Sequence, residues 1–147
     1  MRPRQFPATI PPIWLFADPR QGDGLWCALA RLPRGSGVVT GAHPEAARIA
    51  AIARRRGLVC VAQVAKAHDR AELIAARRSG ARLVFVSPVF STRTHPGAPF
   101  LGVVRFGLLI RDAVVPIAAL GGMSARRFQR LRAVGAVAWG GIDAFDS

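Results

Sequence analysis

The sequence predicts an α/β protein built on parallel strands. Short, continuously apolar runs alternate with amphipathic helical stretches, and none of the runs shows the one-sided alternation of a half-solvated antiparallel sheet. Glycine, proline and polar residues punctuate the chain after nearly every run. At 147 residues and 51% hydrophobic content, the chain is long and apolar enough for one domain with a real core. We expect an extended arm over residues 1–12 and a single βα domain over 13–147.

Each element follows from local chemistry. Residues 1–12 are proline-rich and suit an extended arm. The first strand is Ile13-Trp14-Leu15-Phe16-Ala17, ended by Asp18-Pro19. A helix then starts near Gly22-Asp23, with Asp23 as N-cap, and carries Leu25, Trp26, Leu29 and Leu32 on one side as far as Pro33. Gly37-Val38-Val39-Thr40 is a short second strand. His43-Pro44-Glu45 opens a helix that runs through Arg56 and stops at Gly57. The third strand is Leu58 through Ala65. His68-Asp69 then serves as turn and cap for a helix from Arg70 to Ser79, stopped by Gly80.

Strand four, Leu83 to Val86, feeds a long polar loop that reaches Gly102, after which a helix runs from Val103 to Asp112. Strand five is Val115–Leu120, with Pro116 tolerated near its start. The helix Ala125–Val134 ends at Gly135, and Ala136–Trp139 forms a sixth strand before Gly140-Gly141. An open doubly wound sheet and a closed barrel both satisfy this order. In either, the polar residues after each strand gather at the C-terminal edge of the sheet, where such folds place their sites.

Charge narrows the function classes. The net charge is +13, from 21 Lys+Arg against 8 Asp+Glu, and Lys66 is the only lysine. An isoelectric point near 11.9 raises nucleic-acid binding as one reading. However, Arg54–Arg56, Arg77-Arg78, Arg126-Arg127, Arg130 and Arg132 lie on Ala/Leu-rich helical segments, in the manner of solvated helix faces. Phe106 and Phe128, the aromatics nearest the basic residues, read as core and not as a stacking platform.

Cys27 and Cys60 sit in apolar surroundings without metal-ligand spacing, so buried, reduced thiols are expected and a structural metal is not. The basic N-terminus runs into prolines and not into a long apolar stretch, which argues against a signal peptide or a membrane span and for the cytoplasm.

Two constellations could carry chemistry. Gly121-Gly122 ahead of Ser124 lets backbone amides approach a phosphate closely, at the positive end of the following helix. Gly140-Gly141 after the last strand would complete the cup. Ser87, Thr92, Arg93, Thr94 and His95 share one loop and offer hydroxyls, a guanidinium fork and a titratable imidazole for a diphosphate and its departing charge. A loop of about a dozen residues in a compact domain is usually functional. Among these, His95, Thr92 and Arg93 are the candidate catalytic residues. Ser87, Thr94 and the two glycine pairs are the candidate substrate-binding residues. His68 is a weaker candidate proton carrier, Asp69 a cap, and His43 a residue at the head of its helix. No carboxylate pair has metal-like spacing.

The stretches Ser87–Gly97, Leu101-Gly102, Ala119–Met123 and Gly135-Ala136 with Ile142 resemble the thiamine phosphate synthase and thiazole tautomerase superfamily. Trp14–Arg20 and Ala67–Leu73 look like that family's first strand and fifth unit. The match is specific from Ala67 to Ile142.

The resemblance implies a TIM-barrel-like fold. It also implies a synthase that joins hydroxymethylpyrimidine diphosphate to thiazole phosphate with Mg²⁺, releasing diphosphate and making thiamine phosphate. By position, Thr92, Thr94 and His95 would face the diphosphate or the thiazole, and Gly121, Gly122, Gly140 and Gly141 would hold the thiazole phosphate.

The departures are specific. Val39-Thr40-Gly41-Ala42-His43 stands where synthases usually present Gln-Leu-Arg-Glu-Lys. The Asn-Asp and the acidic residue that serve the metal have no counterpart, and His95 stands where many synthases have Lys. About two strand–helix units are missing, leaving about six, whereas an eight-unit barrel usually needs more than about 200 residues. The expectation is a narrowed or open barrel, or one completed by a homodimer. Alternatives are a metal-free tautomerase-like protein using His95 or His68, a non-catalytic binder of phosphorylated ligands, and an arginine-driven RNA-binding protein. Small phosphorylated substrates are the expected partners.

Overall fold

The computed structural model describes residues 8–142 and 145. It contains seven strands and five α-helices among those residues. They are β1 (Ile13–Phe16), α1 (Asp23–Arg31), β2 (Gly37–Val39), α2 (Ala46–Arg55), β3 (Val59–Val61), β4 (Ala65–Ala67), α3 (Arg70–Arg78), β5 (Val84–Val86), α4 (Gly102–Ile110), β6 (Ile117–Leu120), α5 (Ala125–Ala133) and β7 (Ala138–Gly141). A 3₁₀ turn, Pro19–Gln21, precedes α1. The described residues divide into two compact units, 8–63 with 142 and 145, and 64–141. The first seven residues of the expected arm lie outside the described residues.

In the first unit the strands are parallel in the order β3-β2-β1, with Trp14 opposite Gly37 and Val38 opposite Cys60. Helices α1 and α2 bury Leu25, Leu29, Ile49 and Ala53 against Leu15 and Val38. Burying each of the leucines, the isoleucine and the valine contributes about 1.5–3 kcal/mol. The Trp14 ring lies over Gly37 and its Nε1 donates to the Pro11 carbonyl at 2.7 Å. Asp23 is the first helical residue and not the cap. The helix is preceded by the 3₁₀ turn, which Asp18 caps by accepting from the Arg20 amide at 2.8 Å. Hydrogen bonding to the Arg20 side chain holds the Asp18 carboxyl below the usual carboxylate range, against the opposing effect of its partial burial.

Two expectations about this unit change. Cys27 is exposed, because it lies on the face of α1 away from the buried leucines, while Cys60 packs against the core. Arg56 is not a solvated helix residue, since its guanidinium donates to the carbonyls of Leu29 and Leu32, at the C-terminal end of α1. Cations are favoured at that end, where carbonyls lack helical partners.

The second unit is a parallel array in the order β7-β6-β5-β4. Val84, Phe85, Val86, Ala118, Ala119 and Ala138 are fully or almost fully buried within it, as is Phe106 of α4. Asp69 caps α3 by accepting from Glu72 N at 2.8 Å, and Ser124 caps α5 by accepting from Arg127 N at 3.2 Å.

The apolar run expected to form one third strand, 58–65, is instead two strands separated by residues 62–64. The first pairs with β2 and the second with β5, so one run serves two different neighbours. Five strands are followed by a helix, and β3 and, among the described residues, β7 are not. Among the described residues no helix is long and apolar enough to cross a membrane.

Candidate phosphate-binding site

Strand β6 delivers Gly121-Gly122 to the head of α5, and both glycines have positive φ, 100° and 61°. They turn the chain where another residue would be strained, and they bring it against the loop after β5. A Cβ on Gly121 would meet Pro88 Cα at 2.8 Å, and one on Gly122 would meet the Ser91 carbonyl oxygen at 2.4 Å. The β5–β6 ladder continues into these loops, with Val89 N donating to Leu120 O and Phe90 N to Gly121 O, both at 3.0 Å.

The amides of Gly121, Gly122 and Met123 donate to no protein acceptor among the described residues. They lie immediately before the N-terminus of α5, whose first turn has no acidic residue. Unpaired amides and a helix dipole together favour an anion.

Arg127 is not only the solvated helix residue that the sequence suggests. Its guanidinium donates to the Gly122 carbonyl and lies 4.7 Å from the centre of the Phe90 ring. It therefore ties α5 to both loops and adds positive charge beside the glycines. The signal available in the sequence was its place three residues after the Ser124 cap, where helical geometry points a side chain back toward the preceding loop.

The second glycine pair is placed differently from expectation. Gly140 and Gly141 are the last residues of β7 and do not form a loop after it, since the strand runs from Ala138 and not from Ala136. Neither has a positive φ. Gly140 lies opposite Leu120, so the two glycine pairs end neighbouring strands on one edge.

The loop after β5 holds the other candidates. Ser87 is buried, and its amide donates to Ala67 O at 3.1 Å; the Ser87–Pro88 peptide bond is cis. Thr92 organises the tip, its Oγ1 accepting from the His95 amide at 3.2 Å and from Thr94 Oγ1 at 3.3 Å. Arg93, Thr94 and His95 are exposed. His68, directly after β4, places Nδ1 2.9 Å from Glu72 Oε2, which also accepts from the His68 amide at 2.8 Å.

The carboxylates of this unit do not gather in one place. Asp69 and Glu72 are occupied with the α3 cap and His68, and Asp112 lies beyond the far end of α4 from the loop. Among the described residues no three His, Cys, Asp or Glu side chains cluster so as to hold a metal ion. Mg²⁺ is usually held by one or two carboxylates together with waters and substrate phosphates, and none of Asp69, Glu72 and Asp112 lies on the loops that carry Gly121-Gly122 and Thr92–His95.

A family model described as thiamine monophosphate synthase matches residues 41–145. The chain belongs to that family. Among solved structures, this thiamine monophosphate synthase family member is similar to a thiamine phosphate pyrophosphorylase from Pyrococcus furiosus, with a TM-score of 0.72 and 13% identity, over 92% of this chain and 87% of that one. The likeness shows the fold, which is α/β and TIM-barrel-like. FabK from Thermotoga maritima aligns over 90% of this chain and 40% of its own, with 19% identity and a TM-score of 0.48. No curated protein matches the chain.

Proposed function

We propose that this family member acts in thiamine biosynthesis, joining hydroxymethylpyrimidine diphosphate to thiazole phosphate with release of diphosphate. The observation that carries the reading is the row of unpaired amides at Gly121–Met123, at the head of α5 and flanked by Arg127. That arrangement suits the phosphate of the thiazole, with the adjoining ends of β7 at Gly140 and Gly141 bordering it.

In the reaction, the bond from the pyrimidine methylene carbon to the diphosphate oxygen breaks and its electron pair leaves with diphosphate. The thiazole nitrogen lone pair forms the new C–N bond. Thr92, Arg93, Thr94 and His95 then have the task of stabilising the departing charge, and Ser87 lines the base of the loop. Holding the nucleophile at contact distance is the main contribution of the glycine loop. The reading goes with a cytoplasmic protein acting on small phosphorylated substrates, with neither membrane nor nucleic acid as partner.

A second reading, a tautomerase-like protein acting on thiazole phosphate, draws on His68. Its Nδ1 bond to Glu72 leaves Nε2 to carry a proton at the strand edge beside Ser87.

Calorimetry with thiazole phosphate tests both, followed by an assay for thiamine phosphate with and without chelator. Binding with thiamine phosphate formation supports the synthase. Binding with isomerisation of the thiazole, lost in Glu72→Gln, supports the second reading. No detectable binding of thiazole phosphate overturns both.

A further inference from the structure

We propose that the outer face carried by α3 and α4 docks a second copy of this chain about a two-fold axis. Helix α4 reads Gly-Val-Val-Arg-Phe-Gly-Leu-Leu-Ile, with Arg105 as its single charge, so it is apolar on nearly every side. Phe106 and Ile110 account for the inward side and are buried. Val104 and Leu108 point the other way, 75% and 64% exposed, and at a spacing of four residues they make a ridge. A helix that is apolar all round is normally covered on all sides.

Beside the ridge runs a groove of about 200 Å³ between α3 and the end of α4, walled by Ile74, Leu108 and Val114. Ile74 and Val114 are themselves exposed. The rim carries Arg70 and Arg77 on α3 and Asp112 after α4. Asp112 makes no ion pair among the described residues.

One patch therefore holds a ridge and a groove, and cations and a carboxylate. An isologous dimer needs a surface complementary to itself, and this one supplies both halves of each contact. The ridge of each copy fills the groove of the other, and each Asp112 carboxylate provides the counter-charge for the arginines opposite. Ridges packed into grooves are the ordinary mode of helix contact. The second copy is favoured over an acidic peptide because the arginines here share the rim with a carboxylate that such a peptide would leave unpaired and opposed.

Each copy also carries +13, so long-range repulsion opposes pairing until salt screens it. Association should strengthen as salt rises, the reverse of what an anionic partner would show.

Sedimentation velocity on the purified full chain, across protein concentration and salt, tests this. The expected result is a concentration-dependent dimer, more populated at high salt. Leu108→Glu should be monomeric and should melt where wild type does at the dilution that leaves it monomeric. Asp112→Arg should weaken the dimer, and Asp112→Arg combined with Arg77→Asp should recover it. A wild-type monomer at every concentration and salt overturns the proposal, as does a dimer unaffected by Leu108→Glu, or association that falls as salt rises. Phosphate binding takes no part in these readouts.

Discussion

Gly121 lies so close to Pro88 that a single added methyl group would sit 2.8 Å from its Cα. The neighbour is backbone, which cannot swing aside as a flexible side chain would. Two loops from adjacent strands are thus in direct main-chain contact, and the glycine is required by space as well as by its φ of 100°.

Gly121→Ala is expected to destabilise the fold by about 2 kcal/mol or more, combining left-handed strain with the clash. The loops must part to admit the methyl group, so thiazole phosphate binding should fall at least as far. Urea denaturation measures the first effect and calorimetry the second.

Arg127→Ala should leave stability nearly unchanged, by about 1 kcal/mol at most, since an exposed cation–π contact and one carbonyl hydrogen bond are modest contributors. Affinity for thiazole phosphate should drop severalfold, and the remaining binding should depend less on salt. Equal affinity in wild type and variant would remove Arg127 from the site.

Gly37→Ala places a methyl carbon 2.1 Å from the ring of Trp14, which is fully buried. Neither the indole nor the paired strand backbone has room to yield, so a loss of about 3 kcal/mol or more is expected, at the upper end for overpacking. Circular dichroism melts with near-ultraviolet detection of the Trp14 environment would record it.

Asp18 gives a pH signature. Its folded pKa is depressed, chiefly by the hydrogen bond from the Arg20 side chain, so its contribution is fully present above the unfolded value of 3.8. It is lost as pH falls below that value and through the folded pKa. Asp18→Asn should therefore be less stable than wild type at neutral pH, with the gap closing below about pH 4. A gap of constant size from neutral to acid pH would show that the charge is not what matters.

The alternation of apolar runs and helices is legible because β1, β2, β5, β6 and β7 are buried along nearly their whole length, and three of the helices carry a glycine stop. Gly57, Gly80 and Gly135 end their helices with positive φ, as read. The break at residues 62–64 was not legible, because Val59–Ala67 is uniformly compatible with a strand. Only its two different neighbours, β2 and β5, divide it.

At the candidate site, Gly121-Gly122 could be read because turn chemistry is local. Gly140-Gly141 lies two residues deeper in its strand than the pattern suggests, because Ala136 and Val137 are as apolar as a strand start and glycine reads as an end to a strand and not as part of one. Arg127 and Arg56 look like any other helical arginine in a chain with so many. What separates them is the carbonyl each reaches on another element, a distance in space that composition does not carry.

The ladder that continues from Val89 and Phe90 onto Leu120 and Gly121 has an evolutionary corollary. Two segments joined rung by rung cannot change length separately, because one inserted residue would shift every later rung and turn its side chains to the opposite face. Residues 88–90 and 120–122 are bound to drift together or not at all. Tolerance for insertions, and with it the freedom to acquire new specificity, is concentrated after His95, in the span 96–99, beyond the residues that Thr92 ties together.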